Sequence, residues 1–214
     1  MADIEKTSAG GGVIRGDIGD GGEGPNGNGH GGTGETASMA RLLTWLALVS
    51  LAMGLGSLAF VYVHQALDRL ADRSFKLPTT LWVSTALIVA SSVTYVVAHK
   101  RIQRGDSAGL VRWLAITFAL GVFFVVSQVM VWLGLTAQGV YAQSYPLSGM
   151  FYIMTIAHAV HVLGGLAWLG WVLSRAARGA YTPKRELGVE LCGVYWHFLD
   201  VVWLMYFVLL MVVR

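Results

Sequence analysis

The chain has 214 residues, 55% of them hydrophobic and only 13% charged, about half the charge of an ordinary soluble domain. That balance excludes a soluble globular enzyme and marks an integral membrane protein. The net charge of +3 comes from short loops, and no basic patch with interleaved aromatics lies outside the apolar runs, so no nucleic-acid partner is expected.

Residues 1–38 hold 13 of the 27 glycines and six acids against Lys6 and Arg15. No apolar periodicity exists there, so the segment cannot bury enough surface to offset its ordering entropy. It reads as a disordered glycine-rich tail, a solvated tether rather than a docking arm, and it lacks the apolar core of a signal peptide. The remainder, 39–214, reads as one all-α domain, an integral membrane bundle of five transmembrane helices.

Five apolar runs follow, each near the roughly 20 residues that cross a hydrocarbon core. They cover about 42–63, 77–98, 113–137, 147–173 and 187–213. Pro78 falls in the first turn of the second, where a missing N–H does least harm. The single cysteine, Cys192, lies in the last run, which excludes an intrachain disulfide and predicts a buried, inert thiol. With the N-terminus inside, the inner loops collect nine Lys/Arg: Arg41, Lys100, Arg101, Arg104, Arg112, Arg175, Arg178, Lys184 and Arg185. The outer side has four: Arg69, Arg73, Lys76 and Arg214. The asymmetry predicts N-terminus in and C-terminus out.

Polar groups inside the runs are the candidates for function. His158 and His161 sit three apart in the fourth run, and His197 and Asp200 three apart in the fifth, so each pair shares a helix face. At about 1.5 Å of rise per residue all four fall near the midplane. Glu190 lies on the stripe of His197, with Gly193 between them, and Trp196 and Trp203 form another stripe for lipid or a second neighbour. Gln128 in the third run can bond across a helix interface. Three readings compete for the histidines. His158 and His197 could ligate a haem from facing helices. His158, His161, His197 and Asp200 could hold a metal, though a cysteine-free set on two helices is a weak signal. The reading favoured by the residues is an interhelical hydrogen-bond network that fixes the packing of the fourth and fifth spans, with Asp200 paired to His197 or to a fourth-span histidine. No P-loop, dinucleotide fingerprint, nucleophile elbow or CxxC is present, and no catalytic constellation is complete.

The stretches "GMFYIMTIAHAVHVLGGL" (149–166) and "GVELCGVYWHFLDVVW" (188–203) resemble the last two spans of subunit III of haem–copper respiratory oxidases, in its five-helix bacterial form. "LPTTLWVSTALIVASSVTYVVAH" (77–99), with its leading proline and paired serines, is similar to the second span of that family, and "WLAITFALGVFFVVSQ" (113–128) to the third. The likeness extends over 41–214, with one departure. The Ser-Glu pair common in the family's first span aligns on Ser50 and Leu51, so the acid is absent.

The resemblance implies an accessory subunit of the bacterial cytoplasmic membrane with no cofactor of its own. Haem and copper would reside in partner subunits I and II. Subunit III would pack beside subunit I, bind phospholipid, stabilise the assembly and assist proton uptake, within an oxidase that can join a larger respiratory supercomplex. A quinol oxidase or a nitric oxide reductase with the same kind of accessory subunit is the alternative. A lone membrane cytochrome or transporter is a third reading.

Overall fold

The computed structural model describes residues 32–68, 80–143 and 146–212. They form five α-helices, α1 Gly32–Asp68, α2 Thr80–Gln103, α3 Ser107–Ala137, α4 Pro146–Ala177 and α5 Leu187–Val212. All five are long and apolar enough to cross a membrane. The chain is thus an all-α, five-span membrane bundle, as its composition and the length of its apolar runs predict.

The helices outrun the apolar stretches mainly at one end of the bundle, where the N-termini of α1 and α3 and the C-termini of α2 and α4 lie. α1 has 37 residues, about 56 Å of helix against a hydrocarbon core of about 30 Å. It starts at Gly32, inside the segment assigned to the tail, because a helix nucleated in the span extends at the cost of one fixed residue per new hydrogen bond. Glu35 in its first turn suits the helix dipole. Residues 1–31, Pro78 and the outer Arg69, Arg73, Lys76 and Arg214 lie outside the described residues.

The α2–α3 turn is built from local chemistry. Gly105 adopts φ 77°. Its N–H bonds Ile102 O at 2.9 Å and the Asp106 N–H bonds Arg101 O at 3.0 Å, so two terminal carbonyls of α2 are satisfied in a Schellman motif. Asp106 then caps α3 by accepting from the Gly109 N–H at 2.8 Å. The same glycine-closed turn ends α3 at Gly139 and α4 at Gly179.

Packing closes α2, α3, α4 and α5 into a ring, and α1 lies against the α4–α5 side of it. α1 and α2 do not touch among the described residues. One face of α1, carrying Leu48, Leu55, Ala59, Tyr62 and Ala66, is buried, while Met53 and Phe60 point away from the bundle. At the centre lie Trp196, Trp203 and Tyr206 of α5 with Tyr95 and Phe124. Small residues set the helix separations. A Cβ on Gly121 would come within 2.8 Å of the Trp196 ring, and one on Gly193 within 2.6 Å of Tyr95 Cε1.

Gly193→Ala therefore overpacks the α2–α5 contact, where Tyr95 is 1% exposed and has nowhere to move. We expect a loss of about 1–3 kcal/mol, read as a lower unfolding midpoint in detergent. Gly134→Ala, on α3 with nothing within 4 Å, should be neutral or mildly stabilising. Equal midpoints for the two variants would contradict this packing.

Candidate functional site

The polar residues of the spans gather on a seam between α2 and α5. Four hydroxyl-bearing side chains of α2, those of Thr85, Ser91, Ser92 and Tyr95, face α5 along it, and α5 answers with indoles, an imidazole and a backbone carbonyl. Trp203 Nε1 donates to Thr85 Oγ1 at 3.2 Å and Trp196 Nε1 to Ser91 Oγ at 3.1 Å. Ser92 Oγ and His197 Nδ1 are hydrogen-bonded at 2.7 Å. Tyr95 OH donates to the Val189 carbonyl at 2.8 Å. The partners run in opposite order along the two helices, as an antiparallel pair requires. On its other side α2 is joined to α3 by Ser84–Ser127 and Thr94–Thr117, both at 2.8 Å.

Asp200 and His197 share this seam. The Asp200 side chain is 6% exposed and its Oδ2 lies 3.8 Å from His197 Nδ1. That distance is beyond a hydrogen bond, and neither carboxyl oxygen has a hydrogen-bond partner among the described residues. His197 is 35% exposed and meets Tyr95 edge-on at 5.7 Å.

The fourth-span histidines take no part in this. His158, 1% exposed, stacks on Trp203 at 5.7 Å and 27° and touches Tyr206 and Phe124 edge-on. Neither of its ring nitrogens is hydrogen-bonded among the described residues. His161 turns Nδ1 back to its own helix, 2.7 Å from Ala157 O, and its carbonyl accepts from Tyr195 OH at 3.2 Å. The four residues expected to form one α4–α5 network are therefore divided. The physical reason is competition: the hydroxyls of α2 reach His197 first, and a helix carbonyl four residues back satisfies His161. Gln128 is buried, and its amide nitrogen has no hydrogen-bond partner among the described residues. Cys192 is buried.

At the end of the bundle where α1 and α5 begin, charged side chains take the place of the hydroxyls. Arg41 of α1 grips Glu190 of α5 through Nε at 3.1 Å and Nη2 at 2.8 Å. His99 Nε2 faces Glu186 Oε2 at 3.3 Å. In the loop between α4 and α5, Tyr181 packs on Gly188, and burial holds its hydroxyl above the usual tyrosine range while nearby Arg175 pulls the other way.

Sequence reasoning missed Ser84, Thr85, Ser91 and Ser92 as site residues. A signal was present, because Ser84 and Ser91, and Thr85 and Ser92, are each seven apart. That spacing lays hydroxyls along one helix face in an otherwise apolar span. Trp196 and Trp203, read as a lipid-facing or second-neighbour stripe, meet the second neighbour, and both are 1% exposed.

Fold and seam together define a multi-pass membrane bundle whose mid-span polar groups are spent largely on helix-to-helix contact. The family described as cytochrome c oxidase subunit III matches residues 73–213, well over half of the chain, and the chain belongs to it. α1 lies before the matched region. A probable cytochrome c oxidase subunit 3 of Mycobacterium tuberculosis is 35% identical over 130 residues, 61% of this chain and 64% of that protein. A cytochrome c oxidase subunit 3 of Corynebacterium diphtheriae is 36% identical over 126 residues, 59% of this chain and 62% of that one. A cytochrome bo(3) ubiquinol oxidase subunit 3 of Pseudomonas putida is 30% identical over 125 residues, 58% and 60% of the two chains. The matched stretch thus spans less than two thirds of these relatives.

Ser91→Ala would strand a buried indole N–H. The cost of such a group is about 1–3 kcal/mol, expected as a lower unfolding midpoint of the detergent-solubilised chain. Ser57→Ala, which removes only an exposed bond to the Gly54 carbonyl, should stay within about 0.5 kcal/mol of wild type. A Ser91→Ala midpoint as high as that of Ser57→Ala would contradict the seam.

Proposed function

We propose that this chain is a non-catalytic accessory subunit of a respiratory haem–copper oxidase in a bacterial cytoplasmic membrane. In this reading it packs on the catalytic subunit, stabilises it, binds phospholipid and assists proton uptake on the inner side. Haem and copper belong to its partners, subunits I and II. The observation that carries the reading is membership of the subunit III family over α2–α5. The commitment of the Trp196 and Trp203 indoles to side chains of α2 supports a packing role, since these groups are already engaged within the bundle.

A cytochrome c oxidase is the first reading, supported by the names of the actinobacterial relatives. A quinol oxidase is the second, supported by the Pseudomonas putida relative. The two are separated by the electron donor that the purified complex accepts, reduced cytochrome c or ubiquinol.

The test is purification through a tag in mild detergent, followed by mass spectrometry and visible spectra. Haem-bearing membrane subunits should co-purify, and the chain made alone should show no Soret band. A chain that binds haem alone, in a form lost with His158→Ala, would overturn the reading. Orientation has its own test. The inner loops carry nine Lys/Arg and the outer side four, so a reporter fused after Arg214 should report from outside. A cytoplasmic signal would refute N-in, C-out.

A further inference from the structure

α5 touches α1, α2 and α4, and α1 and α2 flank it without meeting among the described residues. Between those two flanks α5 keeps an open face. Val194, His197, Val201, Leu204 and Val208 follow one another there at spacings of three and four, the period of a helix stripe. Val201 is 63% and Val208 57% exposed. Towards the outer end the face continues into an apolar groove of about 670 Å³ between α1 and α5, lined by Val63, Ala66 and Leu67 with Val201, Met205 and Val208 among others.

His197 is the polar member of this face. It is the eleventh of the 26 residues of α5, so it lies about 15 Å along a helix of about 39 Å, near mid-membrane. Its Nδ1 is held by Ser92, whereas Nε2 has no partner among the described residues. A 35% exposed imidazole at that depth faces hydrocarbon, where no water competes for the vacant nitrogen and an unsatisfied polar group is costly. An acyl chain can fill the apolar groove but offers no donor or acceptor at the midplane, since the polar parts of a lipid stay at the interface. A second transmembrane helix offers both an apolar surface and a hydrogen-bonding side chain at any depth.

We propose that the open face of α5 seats a transmembrane helix of a partner subunit, which hydrogen-bonds His197 Nε2 at mid-membrane and fills the groove between α1 and α5. The partner helix carries a polar side chain near its middle and small or aliphatic residues towards its outer end. Val194 and Val201 flank the imidazole with short side chains, which lets a second backbone approach. Asp200, beside His197 and without a hydrogen bond of its own, keeps the imidazole in a polar setting from behind. The proposal deepens the subunit reading above and rests on it.

The test uses the assembled complex. A photoreactive residue replaces Val201, and a control replaces Phe123, which is 61% exposed on α3, a helix packed on α2 and α4. After irradiation, the Val201 probe should yield an adduct with an integral membrane subunit of the oxidase, and the Phe123 probe should yield mainly lipid. His197→Leu should lower retention of the chain on washing by about three- to fifteen-fold, the range of one interhelical hydrogen bond. His197→Asn, which keeps a donor and an acceptor, should recover most of it. Val201→Trp, at a position 63% exposed in the bundle, should also lower retention. Co-purifying oxidase subunits with Val201 adducts only to lipid, or only to a second copy of this chain, would overturn the proposal and leave the subunit reading standing. Absence of any oxidase subunit from the preparation would remove both.

Discussion

In a bilayer, apolar side chains have no preference for one another over lipid, so packing and the fate of polar groups decide how helices associate. Here the decisive groups are two buried indole N–H donors on α5. Trp196 and Trp203 are seven residues apart, and each meets one hydroxyl on α2. Sliding α5 by one turn would leave both donors without acceptors, and no water is present in the membrane core to replace them. The seam therefore fixes the register of α2 against α5. The rest follows from it. α3 is tied to α2 by paired hydroxyls, α4 stacks His158 on the Trp203 already placed, and α1 closes on α5 through Tyr206 OH to Leu55 O at 2.9 Å.

The end of the bundle where α1 and α5 begin uses a different chemistry for a physical reason. Arg41 and Glu190, 51% and 33% exposed, can form an ion pair without a large desolvation cost because the interface is wet. Such pairs contribute about 0–1 kcal/mol, so they orient α1 against α5 more than they stabilise the bundle. Hydroxyls at mid-depth and charges at that end follow the rise in dielectric constant from hydrocarbon to water.

Much of this was legible in the sequence. The five spans follow from composition and run length, and the polar phase of α5 placed His197 and Asp200 on one face. The choice of neighbour was not legible. His158, His161, His197 and Asp200 share a depth, and depth with a short connecting loop suggests α4 against α5. Both helices do pack together, but phase about the α4 axis points His158 at the indole of Trp203 and His161 at its own backbone. A one-dimensional reading fixes depth and face, and it leaves open which of three neighbours a face meets. The hydroxyls of α2 were inconspicuous because serine and threonine also bond their own helix carbonyls, as Thr85 does to Leu81 O at 2.9 Å. Only the heptad repeat of Ser84 with Ser91 and Thr85 with Ser92 separated them from that background.

The indole–hydroxyl pairs between α2 and α5 set the register of the bundle. A double-mutant cycle on Trp203→Phe and Thr85→Val, followed by thermal unfolding in detergent, measures that coupling directly. The two changes should not be additive, with a coupling of about 0.6–1.7 kcal/mol, the average and upper values found for interhelical bonds in membranes. Additive effects, with no coupling beyond experimental error, would contradict it.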